Sequence, residues 1–241
     1  MDNAAYATLT RQAGLRSELQ SIANNVANAS TVGYQREGIL FSEFITALED
    51  ANTSLSMAMA EGRYTDRNVG GHRETGGKFD LAIGGEGYFP LQTPDGLRLT
   101  RAGAFAPNAN GDLATPQGHL LLDAGGAPIP VPPDATEINI SSDGSLSFDG
   151  APVTEIGLVV PADPNKMRRT GDTSYLVEDG NTIPVVNPQI MQGFLEGSNV
   201  NAIEEITRLI EVQRAYEKGG DFMSSEDERI RSVIRTLGSE S

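Results

Sequence analysis

Apolar residues recur at helical spacing near both ends of the chain, and in short bursts bounded by turn residues between them. Leu15, Leu19, Ile22 and Val26 stand four, three and four residues apart, the a/d repeat of a coiled-coil seam. This spacing predicts a helix over residues 3–29 with residues 30–33 as its exit, where Gly33 is free to take the left-handed conformation that closes many helices. Near the other end, "NVNAIEEITRLIEVQRAYEK" offers Asn201 as an N-cap, Glu204 three residues on, and Ile203, Ile206, Ile210 and Gln213 at helical spacing. Its acids come first and its bases last, as the helix dipole prefers. After Gly219 and Gly220 a further helical run carries Ile230, Val233, Ile234 and Leu237. Ser225 with Glu228 marks either a fresh start or a continuation across a weak point. A single helix over residues 201–237 would be about 55 Å long at 1.5 Å per residue.

From about residue 76 to 190 the short apolar runs alternate with Gly, Pro, Asn and Asp. Asp95-Gly96, Asn110-Gly111, Gly125-Gly126, Asp143-Gly144 and Asp149-Gly150 are each a plausible turn. The expectation is an all-β domain, an irregular sandwich or barrel-like sheet. Residues 36–75 are less regular: "ILFSEFITALED" reads as a short helix, and the Ala, Met and Gly beyond it read as an extended linker. The resulting fold class is mixed α and β, with domains at 1–35 (N-terminal helix), 36–75 (linker), 76–190 (β domain) and 191–241 (C-terminal helix). Helical seams at both termini point to pairing with each other or with neighbouring subunits, because a lone monomer gains little from exposed seams.

One stretch departs from ordinary helix composition. "IANNVANASTVGYQR" places Asn24, Asn25 and Asn28 inside the first helix, although Asn amides compete for backbone hydrogen bonds and lower helix propensity. Buried amides in a seam set register at a cost in stability. The asparagines are therefore expected to bond to groups of adjacent subunits, the plainer alternative being that they cap or fray one helix end.

Composition removes several function classes. With 33 acidic and 18 basic residues the net charge is −15, which repels phosphate backbones and disfavours nucleic-acid partners. No cysteine is present, so disulfides, thiolate nucleophiles and cysteine metal sites are absent. No apolar run approaches the roughly 20 residues needed to span a bilayer, and the "MDNAAYATLTRQAG" start has no signal-peptide pattern. Membrane insertion and a cleaved signal are not expected.

Candidate chemistry is sparse. His72 and His119 lie at no ligand spacing and read as turn histidines. "NANGD" at 108–112 lacks the bidentate Glu of a calcium loop and reads as a turn. "GGEG" at 84–87 is not followed by the glycine and helix of a dinucleotide site, and reads as a close approach of backbones at a bulge. No nucleophile elbow occurs. Glu204 and Glu205, in a helix's first turn, read as dipole and cap residues. Lys166, Arg168 and Arg169 read as a solvated basic loop, with docking against an acidic neighbour as the alternative. No catalytic residue, metal or cofactor is expected.

Two of these stretches carry a resemblance. "ANNVANASTVGY" at 23–34 resembles the N-terminal signature of bacterial flagellar rod and hook proteins, and "GFLEGSNVNAIEEITRLIEVQRAYE" at 193–217 resembles their C-terminal signature. "FDLAIGGEGYFPLQTPDGLRLTRAGAF" is similar to the β domain of the rod members, and the length and "MDNAAY" start match the proximal-rod member better than the longer distal-rod one. The resemblance implies a non-enzymatic axial subunit of the basal body, exported by the flagellar type III apparatus without signal cleavage. It also implies terminal helices paired as a coiled coil, with helical self-association and torque transmission. Partners would be other rod proteins and copies of the same chain. The positions it marks for an assembly interface are Asn24, Asn25, Asn28, Thr31, Gly33, Tyr34, Leu195, Asn199, Asn201, Leu209, Ile210, Gln213, Arg214 and Tyr216. Gly219-Gly220 departs from the family pattern and puts an unbroken last helix in question, since each Gly costs about 1 kcal/mol against Ala in a helix interior. The rivals are a distal-rod or hook subunit and, in another class, an exported β-domain glycan-binding module, which a groove with convergent carboxylates would favour.

Overall fold

The apolar repeat near the N-terminus forms helix α1 (Asp2–Ala27), and the C-terminal repeat forms helix α2 (Ala202–Gly238). The computed structural model describes residues 2–47 and 54–238. The described chain is mixed α and β, helical at both ends and β-rich between, and it divides into two compact units.

The first unit gathers α1, α2 and residues 36–67. Leu15 and Ile22 of α1 and Val212 of α2 are buried together, with Leu19, Val26, Leu209 and Ala215 packed around them. Asn25 meets Glu205 at one end of this seam and Gln12 meets Tyr216 at the other, so the helices run antiparallel. The α1 half follows the predicted repeat. In α2 the buried face is the one carrying Glu205, Leu209 and Val212, while Ile203 is 78% exposed and Ile206 and Ile210 are each 46% exposed. Apolar residues cover two faces of α2, and only one of them also holds the carboxylate that α1 binds.

Helix α2 is continuous through Gly219 and Gly220 and through Ser225. The Ser225 hydroxyl donates to the Asp221 carbonyl one turn back instead of capping a new helix. Asn201 does act at the start: its Oδ1 accepts from the Ile203 N–H at 3.1 Å, and its Nδ2 donates to Glu204 at 2.9 Å.

Residues 36–75 correct the expectation of a short helix and an extended linker. Strands β1 (Glu37–Ala47) and β2 (Ser54–Thr65) form a long antiparallel hairpin, in register from Glu37 opposite Thr65 to Ala47 opposite Ser54, with a bulge at Leu40/Phe41. The physical reason is composition: β1 is rich in β-branched and aromatic residues, and in β2 Leu55, Met57 and Met59 alternate with Ser and Ala at the strand period. Residues 48–50 of the expected helix and 51–53 of the expected linker lie outside the described residues.

The second unit comprises residues 30–35 and 68–199. Its largest sheet has seven strands, in the order Met167–Arg169, Ser174–Val177, Gly96–Thr100, Phe89–Thr93, Leu120–Leu121, Leu113–Ala114, Ala106–Pro107. A three-stranded meander and several two-stranded ribbons complete an irregular β assembly around a core that includes Leu81, Ile83, Phe89, Leu91, Leu113 and Leu146. Turn chemistry sets the register. Asp149 (φ 50°) and Gly150 (φ 80°) both adopt the left-handed region between strands Ser145–Phe148 and Ala151–Glu155, as a type I′ hairpin requires.

Candidate functional site

The asparagine-rich end of α1 leads into a buried polar node within the first unit. Asn25, fully buried, treats the backbone of Glu37 as a neighbouring strand would: its Nδ2 donates to the Glu37 carbonyl at 2.8 Å, and its Oδ1 accepts the Glu37 N–H at 2.9 Å. Nδ2 also reaches Glu205 Oε2 at 3.1 Å, and the Ser21 hydroxyl donates to the same Glu37 carbonyl at 3.0 Å. Arg36 closes the node with a charge-assisted bond to Glu205 Oε1. Burial opposes the charge on Arg36, but the bond and the field from Glu205 outweigh it and raise its affinity for the proton. One amide thus ties α1, α2 and the first residue of β1 together.

Asn24 is exposed and Asn28 donates to the Asn24 carbonyl at 2.9 Å, the local helix-end role. Asn25 does not fray the helix end: its amide is bonded inside its own chain. Glu205 likewise departs from the dipole-and-cap reading, which describes Glu204 but not a residue 2% exposed and held by Asn25 and Arg36.

The remainder of the first signature works inside the second unit. Gly33 has φ +66°, but it lies beyond the end of α1 and does not close the helix. A Cβ there would stand 2.2 Å from the backbone nitrogen of Ala102, so only Gly permits the approach. Its N–H donates to the Glu196 carbonyl at 2.8 Å. Tyr34 is buried beneath the Arg169 guanidinium, 4.2 Å from the ring centroid, and Arg169 also bonds the Gln35 carbonyl and the Tyr175 hydroxyl. Arg169 is therefore an anchor for residues 34 and 35 and not part of a solvated loop. Lys166, by contrast, makes an exposed pair with Asp179 at 2.9 Å.

Leu195 is buried, and Asn199 links two segments, its N–H donating to the Tyr34 carbonyl at 3.3 Å and its Nδ2 to the Asn68 carbonyl at 2.9 Å. Thr31 is half-buried and its carbonyl accepts the Tyr34 N–H. Beside them lies an ion pair that no local pattern reveals. Arg101 and Glu196, with side chains 4% and 1% exposed, meet at 2.7 Å. Arg101 also donates to the carbonyls of Gly85 and Gly87 at 2.9 and 2.8 Å, so the "GGEG" loop turns its backbone oxygens onto a buried cation.

Of the fourteen positions marked in the sequence, Asn25, Gly33, Tyr34 and Leu195 are interior and hold the subunit's own packing. Asn24, Asn201, Ile210, Gln213, Arg214 and Tyr216 are exposed, and Leu209 lies in the helix seam. Among charged residues outside the fourteen positions, Glu37, Arg101 and Glu196 are buried and Arg36 is half-buried, and partners far away in the chain hold them.

The remaining candidates resolve locally. His72 Nε2 lies 3.1 Å from the Ile83 carbonyl and His119 Nε2 lies 3.2 Å from Asp172 Oδ2. In "NANGD", Asn108 Oδ1 accepts from the N–H groups of Asn110 and Asp112, forming the expected turn. Among the described residues no group of three or more His, Asp or Glu is placed to hold a metal, and no helix is long and apolar enough to cross a membrane.

Three family profiles match the chain: "Flagella basal body rod protein" over residues 6–35, "Flagellar hook protein FlgE/F/G D1 domain" over 82–148, and "Flagellar basal body rod FlgEFG protein C-terminal" over 191–236. The flagellar basal-body rod protein FlgF of Caulobacter vibrioides is 40% identical over 99% of both chains. The FlgF of Mesorhizobium japonicum is 38% identical over 100% of both. The flagellar basal-body rod protein FlgG of Agrobacterium fabrum is 33% identical over 92% of this chain and 94% of its own.

Proposed function

Since the chain belongs to the flagellar basal-body rod protein family and is a structural rod subunit, we propose that it occupies the proximal rod and builds it by helical self-association with other axial proteins. It is not an enzyme; its homologues are structural proteins of the basal body, and it assembles with other rod proteins there. The observation that carries the proximal assignment is the end-to-end match to FlgF chains, which needs no allowance for the extra length of FlgG relatives.

In this reading α1 and α2 pair as a coiled coil, and their uncovered faces meet neighbouring subunits. Asn24, Ile210, Gln213, Arg214 and Tyr216 are the exposed signature positions that such contacts would use. Asn25, Gly33, Tyr34, Leu195 and Asn199 serve assembly indirectly, by fixing the shape of the subunit that is added. Subunit contacts of this kind are heterologous and do not close on themselves, so they generate a shaft. Torque passes through packed helices and β contacts, without a ligand. Export through the type III apparatus without signal cleavage completes the proposal.

The test is replacement of the chromosomal copy by a tagged one, followed by isolation of basal bodies. Tagged chain in the purified rod, with loss of motility on deletion, is the expected result. Normal rods and swimming in the deletion strain would reject the assignment.

A further inference from the structure

A groove of about 510 Å3 opens in the β unit, bordered by the ends of strands Ser145–Phe148 and Ala151–Glu155 and by residues 186–191. Main-chain bonds hold its borders together. The Ile190 N–H donates to the Ser142 carbonyl at 2.9 Å, the Gly84 N–H to the Gln189 carbonyl at 2.7 Å and the Ile156 N–H to the Gly144 carbonyl at 2.8 Å. Gly144, at φ +92°, permits the last of these approaches, since a Cβ there would stand 2.5 Å from the Ile156 carbonyl oxygen. The groove is therefore formed before anything enters it, and little ordering entropy is left for a ligand to offset.

Its chemistry is one-sided. Asp143 and Glu155 both border it, at adjoining strand ends because Ser145 stands opposite Glu155, and neither makes an ion pair among the described residues. Asp143 Oδ1 accepts the Ser145 N–H at 3.0 Å, and bonds from Ser145 hold this carboxyl below its ordinary value, so its charge persists at neutral pH. No Lys, Arg or aromatic residue lines the groove. Val186 lines it and is 89% exposed, the most of any large hydrophobic among the described residues. The N–H and carbonyl groups of Val186 and Asn187 make no hydrogen bond among the described residues.

We propose that this groove binds an extended segment of a partner polypeptide that carries a Lys or Arg beside an aliphatic side chain. The cation meets Asp143 and Glu155, the aliphatic group covers Val186, and the segment's backbone pairs with the open main-chain groups of Val186 and Asn187, as an added strand does. Charge selects this partner: two carboxylates without a cation repel an acidic segment and steer a basic one in. A glycan fits less well, because no aromatic ring is present for a sugar face to stack on. The contact belongs to the β unit and stands whether or not the chain occupies the proximal rod.

The test uses full-length chain and a fluorescein-labelled short peptide of alternating lysine and valine, read by fluorescence anisotropy at low and high salt. The same peptide with glutamate for lysine is the control. Wild type is expected to bind the lysine peptide, more weakly at high salt, and not to bind the glutamate peptide. D143N/E155Q and V186S are each expected to weaken binding by about tenfold or more. Asn keeps the acceptor for the Ser145 N–H and Val186 is on the surface, so both variants should melt as wild type does by circular dichroism. E217Q/D221N, which removes the same formal charge from exposed positions of α2, is expected to bind like wild type. No binding by wild type, groove variants that bind unchanged, or an equal loss in E217Q/D221N overturns the proposal. Displacement of the peptide by a chitin oligosaccharide also overturns it, since the groove would then belong to a glycan.

Discussion

Replacing Asn25 by Leu keeps the branched outline and the number of heavy atoms, and removes the amide that satisfies the Glu37 N–H and one oxygen of Glu205. Leaving buried polar groups unpaired costs about 1–3 kcal/mol each, so N25L is expected to lower the thermal midpoint of the helical unit, read by circular dichroism. N25D should do more harm, because a carboxylate there faces Glu205 and the Glu37 carbonyl. Unchanged unfolding in N25L would show that the node is dispensable. A few residues on, G33A forces a Cβ into the Ala102 backbone and asks an L-residue to hold φ +66°. A loss of about 2 kcal/mol or more in the denaturant midpoint is expected.

At the scale of the element, the adjacent glycines of α2 separate propensity from packing. Nothing lies within 4 Å of a Cβ built on Gly220, but one built on Gly219 meets Gln12 Nε2 at 2.1 Å. G220A should therefore stabilise α2 by up to about 1 kcal/mol. G219A should gain less or nothing, since Gln12 must give up its 2.7 Å bond to the Tyr216 carbonyl. Urea unfolding of the two variants beside wild type checks the difference, and equal gains would show that Gln12 moves without penalty. The helix that these glycines put in question runs unbroken through them, and Gly219 leaves room for the Gln12 side chain of the partner helix. In the same way the hairpin was visible in the alternation of residues 54–60, but short periodic runs leave helix and strand in competition until a pairing partner is found.

Across the whole molecule the two units rest on different resources. Among the described side chains, the helical unit buries a narrow seam centred on Leu15, Ile22 and Val212, while the β unit has a broad core through Leu81, Phe89, Leu113 and Leu146. Limited proteolysis of the isolated chain is expected to cut in α1 and α2 before it cuts within residues 68–199; simultaneous loss of both would show one cooperative unit. Acid should act on the β unit. Burial works against ionised Asp172, yet bonds from Ser174, Thr170 and His119 hold its carboxyl at about 2, below the ordinary value of 3.8. Asp123 is lowered too: what burial it has works against the charge, and bonds from the Ala127 N–H and the Thr154 hydroxyl outweigh it. A carboxyl that ionises more readily when folded stabilises the fold above its unfolded value, and that contribution is lost as pH falls through the folded one. Stability should therefore decline from pH near 4 down towards 2, and D172N should flatten that decline in a pH series of denaturant melts.

Terminal helices, turn positions and the family itself are all legible along the chain, because each depends on local spacing or on short signatures. The seam residues of α1 and the paired turn glycines come from the period of a helix and the φ that a turn demands. The choice between the two apolar faces of α2 could not be read that way. It depends on Asn25 and Arg36 holding Glu205, and those residues are distant in sequence. Arg101 with Glu196, and Arg169 on Tyr34, were hidden for the same reason. A charged residue looks like surface in a sequence, and only the fold brings the partner that makes its burial favourable.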